Sequence, residues 1–300
     1  MTDDKVYFDK PVIILPHYGD FGSFLIWHIR WADAIQAPQK TVCCQSGEEI
    51  FYPSATDFFY DWENPLGDSD RKGWRDWDNE DKARLIELFS RSPEYKNYKE
   101  GFNIVDLFPV NEPGKYSHAI LTRFGTDGSK DKTSFFAHPH SNSLRIKPKK
   151  LVGLKCDVVL GPRKRIRSRF RNWPHWHKIG EMLKADGLSF AVVGKEETTF
   201  KVKHADIYSW EYESPDSIIE LLQSTKVFAS MDTGTAHLAA LVNSTPMVVL
   251  RAPKTTDSAS VTIPGAMRLV NAGKEVVYVD SPDDYLEDPK HFYKKIIQFL

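Results

Sequence analysis

Val227-Phe-Ala-Ser-Met231-Asp-Thr-Gly-Thr-Ala-His237-Leu-Ala-Ala-Leu-Val242 is the stretch that decides the fold. Val227 to Met231 is a short continuous apolar run, the mark of a strand covered on both faces, and Ala236 to Val242 has the length and composition of a short helix. Asp232, Thr233 and Gly234 form the turn between them. Outward from this βα unit the same alternation recurs. Asp157-Val-Val-Leu160, Ser189-Phe-Ala-Val-Val-Gly194, Pro246-Met-Val-Val-Leu250 and Glu275-Val-Val-Tyr-Val279 read as further strands. Pro174 begins a helix with apolar positions at Trp176, Ile179, Met182 and Leu183, because proline is favoured in a first helical turn. Ser214 is placed as an N-cap with Pro215 at the first helical position. Lys290 to Leu300 reads as a terminal amphipathic helix. Strands alternating with helices predict a parallel sheet, a Rossmann-like domain, over the second half.

The first half is looser. Pro11-Val-Ile-Ile-Leu-Pro16 reads as a strand, His17-Tyr-Gly-Asp-Phe-Gly22 as a glycine-bearing turn, the apolar stretch to Ala34 as a helix, and Thr41-Val-Cys-Cys44 as a second strand. That βαβ opening is what a second parallel sheet needs. From about 51 to 140 the pattern weakens. Asp81 to Ser90 has helical spacing, and Gly125-Thr-Asp-Gly-Ser-Lys-Asp-Lys132 has no apolar period and reads as a mobile surface loop. The basic segment Arg145-Ile-Lys-Pro-Lys-Lys150 is the candidate linker. The expected fold class is therefore α/β, with domains over 1–148 and 149–300.

Composition bounds the function. Apolar residues are 41% and charged residues 27% of the 300, with 17 glycines and 18 prolines, so the chain can bury a core and is not a disordered or fibrous sequence. Forty basic residues against forty-one acidic give a net charge of −1, which argues against coating nucleic acid through global charge. No apolar run approaches the roughly eighteen residues of a membrane span. Met1-Thr-Asp-Asp-Lys-Val-Tyr-Phe-Asp-Lys10 lacks the apolar core of a secretory leader, so the expected location is the cytoplasm, or the host cytoplasm for a viral protein. Three cysteines, Cys43, Cys44 and Cys156, have neither disulfide nor zinc spacing.

Three segments could carry chemistry. Asp232-Thr-Gly-Thr235 lies between a strand and a helix, and the N–H groups of a helix N-terminus suit phosphate. Gly234 lets the backbone approach a diphosphate. The same residues also serve as a plain helix cap, and that reading weighs equally. His237, one turn into the helix, either reaches the same anion or is satisfied by local packing. Six of the nine residues from Arg163 to Arg171 are basic, following one strand and preceding a helix. Guanidinium groups pair bidentately with phosphate, although charge runs are commonly solvated loops, and contact with a polyanion such as DNA is a third reading. Gly19-Asp20, after the first strand, offers a carboxylate as general base, or simple turn chemistry.

Together these residues resemble the heptosyltransferase-like (glycosyltransferase family 9-like) GT-B glycosyltransferases. The resemblance rests on Asp20 in a first-strand GD turn, Arg171-Asn-Trp-Pro174 opening the second domain, and Asp232-Thr-Gly-Thr-Ala-His237-Leu-Ala-Ala followed by Thr245-Pro. It is close over about 155 to 255, thinner at 10 to 35 and absent from 50 to 145. It implies two Rossmann-like domains with parallel sheets facing an interdomain cleft, the first holding the acceptor and the second the nucleotide sugar. The last helix is allowed to pack back on the first domain. It implies Asp20 as the base and Arg171, Asp232, Thr233, Gly234, Thr235 and His237 at the donor, with Arg163 and Arg169 as further phosphate contacts. A residue after the Gly194 turn would meet the nucleoside; Lys195, Glu196 and Glu197 are the candidates. Arg171 stands where the family usually has lysine, and Pro16-His-Tyr-Gly-Asp20 replaces the usual basic and serine residues.

The expected activity is an inverting transfer of a sugar from a nucleotide-diphosphate sugar to an acceptor hydroxyl of a glycan or lipid-linked sugar. No metal and no cofactor are expected, because the protein supplies the charge that the leaving diphosphate needs. Rival readings are a GT-B enzyme acting on a modified base in DNA, a GT-B epimerase, and a non-catalytic nucleotide- or anion-binding module. Asp68-Ser-Asp70 is read as a turn and not a metal-binding DXD. His138-Pro-His140 has no evident third ligand, the tryptophans from 62 to 77 are assigned to a core, and His17 is read as a plain loop histidine.

Overall fold

The structure, a computed structural model, describes residues 5–17, 24–60, 91, 101–107, 118–124, 130–136, 146–148, 150–164, 172–212, 214–231, 233–242, 245–251, 275–280 and 287–300. The chain divides into two compact units, Met1–Leu144 and Arg145–Leu300. Among the described residues no helix is long and apolar enough to cross a membrane.

The first unit contains β1 (Val6–Tyr7), β2 (Val12–Ile14), a π-helical turn (Phe24–His28) that runs into α1 (Ile29–Ala34), β3 (Ile35–Gln36), β4 (Lys40–Cys43), β5 (Asp57–Phe59), β6 (Phe102–Asp106), β7 (His118–Phe124) and β8 (Lys130–Phe136). β1 and β3 form a small parallel pair. The main sheet has the order β5-β4-β2-β6-β7-β8. β5, β4, β2 and β6 run parallel, as the βαβ reading requires. β7 and β8 are antiparallel additions, so this sheet is mixed and not all-parallel as expected. Lys130–Lys132, expected in a loop, are strand residues paired with Thr122–Phe124. Backbone pairing to a neighbouring strand makes them β, and no apolar period is needed for that.

The second unit contains β9 (Val158–Gly161), α2 (Trp176–Ala185), β10 (Phe190–Val192), β11 (Ile207–Tyr208), α3 (Pro215–Ser224), β12 (Val227–Met231), α4 (Gly234–Val242), β13 (Met247–Arg251), β14 (Val276–Asp280) and α5 (Pro289–Ile297). Its sheet, β11-β10-β9-β12-β13-β14, is parallel throughout. Numbered from β9, that is the 3-2-1-4-5-6 order of a Rossmann sheet. The central strands are buried on both faces, with Val158, Leu160, Val192, Ala229 and Leu250 fully inaccessible.

Several local readings shift by a few residues. α2 begins at Trp176 with Pro174 two residues ahead of it, outside the helix, and α4 begins at Gly234 where Ala236 was expected. Ser214 caps α3 as predicted, its hydroxyl accepting from Asp216 N at 3.1 Å. The candidate linker begins at the division between the units, and one of its residues is packed. Ile146 is fully buried, its N–H donating to Leu241 O at 3.3 Å. Just beyond it the Glu220 carboxylate accepts from the N–H groups of Val152, Gly153 and Leu154 at 2.7, 2.7 and 3.0 Å. The last helix contributes Phe292, Tyr293 and Ile296 to the core of its own unit. The helix expected over 81–90, the tryptophans from 62 to 77, Asp68–Asp70 and His138–His140 lie outside the described residues.

Candidate functional site

In an open parallel sheet, ligands bind beyond the carboxyl ends of the strands where the strand order reverses. In the second unit that point lies between β9 and β12. β12 ends at Met231 and Thr233 leads into α4. The Thr233 carbonyl accepts from Ala236 N and His237 N at 3.0 and 3.3 Å, and the Thr233 and Thr235 hydroxyls are 2.8 Å apart. The first turn of α4 is thus tied by its own threonines, and the leading N–H groups of a helix have no partner within the helix. Thr233 and His237 are both buried, at 5% and 6% exposure.

Gly161, the last residue of β9, closes the other side. A Cβ there would lie 2.9 Å from Ser230 Cβ and 3.0 Å from Thr235 Oγ1. Only glycine lets β9 and the start of α4 come this close. The sequence reading missed Gly161; a glycine at the end of a buried strand, followed by Pro162 and the basic run, was the available signal.

Past Gly161 the chain turns along the sheet edge. Arg163 N donates to Gly161 O at 3.1 Å, and Arg163 pairs as an isolated bridge with Thr199. Lys164 N donates to Thr198 O at 2.8 Å, and Phe200 N to Pro162 O at 2.8 Å. The start of the basic run is therefore bonded to the loop after β10. That loop begins at Gly194, whose φ of +143° suits glycine alone, and a Cβ there would collide with the Thr199 hydroxyl. The Ser209 hydroxyl bridges Gly194 N and O at 3.1 and 3.2 Å. Glu196 stands in the short turn that follows, half-exposed and 2.5 Å from Lys201 Nζ, a contact that raises the Lys201 pKa.

The structure thus gathers Thr233, Gly234, Thr235 and His237 on one flank of β9, and Arg163, Gly194 and Glu196 on the other. Asp232, Arg169 and Arg171 lie outside the described residues. Their neighbour Trp173 is an anchor: its fully buried indole donates to Glu287 O at 3.0 Å and meets Trp176 and Phe292 edge-on at 5.0 Å each. The fixed Trp173 holds the chain just after Arg171. Thr199 and Ser209, which brace the Gly194 turn, were also missed, as nothing local in sequence marks them.

In the first unit Asp20 lies outside the described residues. His17 lies in a loop, as read, and its ring is 5.5 Å from Phe24 and 5.2 Å from His28. His28, which the sequence did not single out, is 1% exposed, and burial first and His17 second hold its pKa well below the usual imidazole value. Among the described residues no three histidine, cysteine or carboxylate side chains cluster as metal ligands would.

No known protein-family profile matches the sequence, and no curated protein sequence matches it. Solved structures do match in shape. The E. coli ADP-heptose LPS heptosyltransferase II aligns at 12% identity over 97% of this chain and 98% of its own, with a TM-score of 0.54. The E. coli heptosyltransferase WaaC with ADP aligns at 14% identity over 97% and 100%, with a TM-score of 0.52. A family 9 glycosyltransferase from Veillonella parvula aligns at 9% identity over 99% and 92%, with a TM-score of 0.56. The chain has the mixed α/β, GT-B-type fold of these proteins along nearly its whole length.

Proposed function

We propose that this protein is a metal-independent, inverting glycosyltransferase that moves a sugar from a nucleotide-diphosphate sugar to an acceptor hydroxyl on a glycan or lipid-linked sugar. The observation that carries the reading is the convergence at the carboxyl edge of the second sheet. There the start of α4, the Gly161 close approach, the first residues of the basic run and the Gly194 turn meet at the switch point of a Rossmann sheet. The GT-B-type fold, shared with heptosyltransferases, supports it.

In this reading the second unit holds the donor. The helix N-terminus at Thr233–Thr235 with Asp232 and Gly234, and Arg171 with Arg163 and Arg169, face the diphosphate, with His237 reaching the same anion. Glu196, beyond the Gly194 turn, meets the nucleoside. The first unit holds the acceptor, whose hydroxyl is deprotonated by Asp20 as its oxygen attacks the anomeric carbon. The bond to the diphosphate oxygen breaks as the new C–O bond forms on the opposite face, so the configuration inverts. The leaving diphosphate gains charge in the transition state, and fixed cationic and N–H donors stabilise it there. A protein that supplies this charge itself needs no divalent metal. The location proposed is the cytoplasm.

A thermal-shift panel of ADP, UDP, GDP, CDP and TDP, with and without EDTA, tests the donor site. At a hundred times its Kd, the cognate nucleotide is expected to stabilise by about 2.7 kcal/mol, independently of EDTA, and Arg171→Ala is expected to lose the effect. No shift from any of the five overturns the donor-site assignment.

A further inference from the structure

The first unit's sheet has its own reversal of strand order, between β2 and β6: β4 lies on one side of β2 and β6 on the other. At the carboxyl ends of these strands stand His17, three residues past β2, and Leu107, directly past β6. Tyr52 follows the short turn after β4. His28 belongs to the same cluster, although it comes from the π-helical turn. Its ring stacks on Phe24 at 5.9 Å and meets Tyr52 edge-on at 5.9 Å and His17 at 5.2 Å. π-Helical turns are rare and recur at functional sites.

His28 is unusual as a buried group. It is 1% exposed, yet its Nε2 makes no hydrogen bond with the described residues, while the ring does bond to the Leu107 backbone. A buried ring nitrogen without a partner costs free energy, and such groups in folded proteins call for an explanation. With the other nitrogen engaged by Leu107, a neutral imidazole presents Nε2 as a bare acceptor, so its missing partner is a donor. Burial and the nearby His17 both disfavour the charged ring, which keeps that lone pair available. A single acceptor among aromatic rings fits a sugar, which offers hydroxyl donors and apolar C–H faces together.

We propose that His17 and His28 form a subsite in the first unit for a sugar hydroxyl of the acceptor, the hydroxyl donating to His28 Nε2 beside the His17 ring. His17, half-buried at the end of β2, is the solvent-side member through which the hydroxyl reaches His28. This rests on the glycosyltransferase reading, which makes the first unit the acceptor's.

The test is NMR of the full chain with 15N-labelled histidine, the His28 signal being assigned by its loss in His28→Phe. Methyl glycosides of glucose, galactose and mannose are titrated in, and ADP separately. At least one glycoside is expected to move the His28 Nε2 resonance saturably, and His17→Ala to weaken that response. A resonance unmoved by all three glycosides, as for a nitrogen holding a permanent water, overturns the subsite, as does an unchanged response in His17→Ala. Where His28→Phe fails to fold, loss of the same signal in His28→Gln supplies the assignment. The nucleotide arm keeps the two readings apart. Stabilisation by a nucleoside diphosphate with a silent His28 sinks the subsite alone. A responsive His28 without any nucleotide stabilisation sinks the glycosyltransferase reading and leaves a sugar subsite.

Discussion

Gly161 and Gly194 show how much of the donor edge hangs on single atoms. At Gly161 the obstacle is packed side chain, with Ser230 Cβ 2.9 Å from where a methyl would sit. Gly161→Ala should therefore destabilise by about 1–3 kcal/mol, as overpacking does, and push the start of α4 away from β9. Urea unfolding measures the first effect and nucleotide titration the second; an unchanged Kd would separate this glycine from the site. Asp157 illustrates a residue whose charge matters to stability. The Lys226 ammonium at 2.8 Å, and then the Ser189 hydroxyl and N–H at 2.6 and 2.9 Å, hold its pKa down from 3.8 to about 2. A depressed folded-state pKa stabilises above the unfolded value and is lost on acidification. The contribution is thus complete above about pH 4 and disappears as pH falls toward 2. Asp157→Asn should flatten that part of the stability-versus-pH curve, followed by denaturant midpoints at pH 4.5 and 2.5. The sequence marked Gly194, Thr233, Gly234 and Thr235, because special backbone and capping chemistry leaves a local signature. It did not mark Thr199, Ser209 or His28, whose importance comes from what lies against them.

At the scale of elements, caps and apolar periods made α3, α5 and the strands of the second sheet legible. α5 carries its own start signal, Asp288 accepting from Lys290 N at 2.9 Å ahead of Pro289. What the helix packs on was not legible, and the structure places Phe292 among Trp173, Trp176 and the sheet core. Phe292→Ala is expected to cost about 3–5 kcal/mol and to loosen the anchor beside Arg171, measurable as a fall in the denaturation midpoint together with weaker nucleotide binding. The segment from Arg145 begins at the division between the two units, where its basic, proline-containing composition suggests a linker. Its packing was not legible: Ile146 is a core residue and, just beyond the segment, Glu220 gathers three consecutive N–H groups. Glu220→Gln leaves that buried nest poorly matched and should cost about 1–3 kcal/mol by urea unfolding. The β7–β8 hairpin escaped detection because edge strands are paired by backbone groups, which composition does not report.

At the scale of the whole chain, two sheets share one logic: four parallel strands in 3-2-1-4 order, extended by a parallel pair in the second unit and an antiparallel pair in the first. Each reversal of order leaves a place for a ligand, and the proposed donor and acceptor subsites occupy one each. Hydrogen exchange can test this division. Binding of the cognate nucleotide is expected to slow exchange in peptides covering 161–164, 193–200 and 233–238, while peptides covering 12–17 and 24–34 keep their rates. Protection confined to the first unit would overturn the assignment of the donor to the second. The sequence by itself determined the α/β class, the strand-turn-helix units and the turn and cap residues of the donor edge, because these depend on contacts within a few residues. Only the tertiary structure decided that Gly161 meets Thr235, that Arg163 pairs with Thr199, and that His17 meets a buried His28. Those contacts follow from strand order, and strand order is settled by packing between segments far apart in the chain.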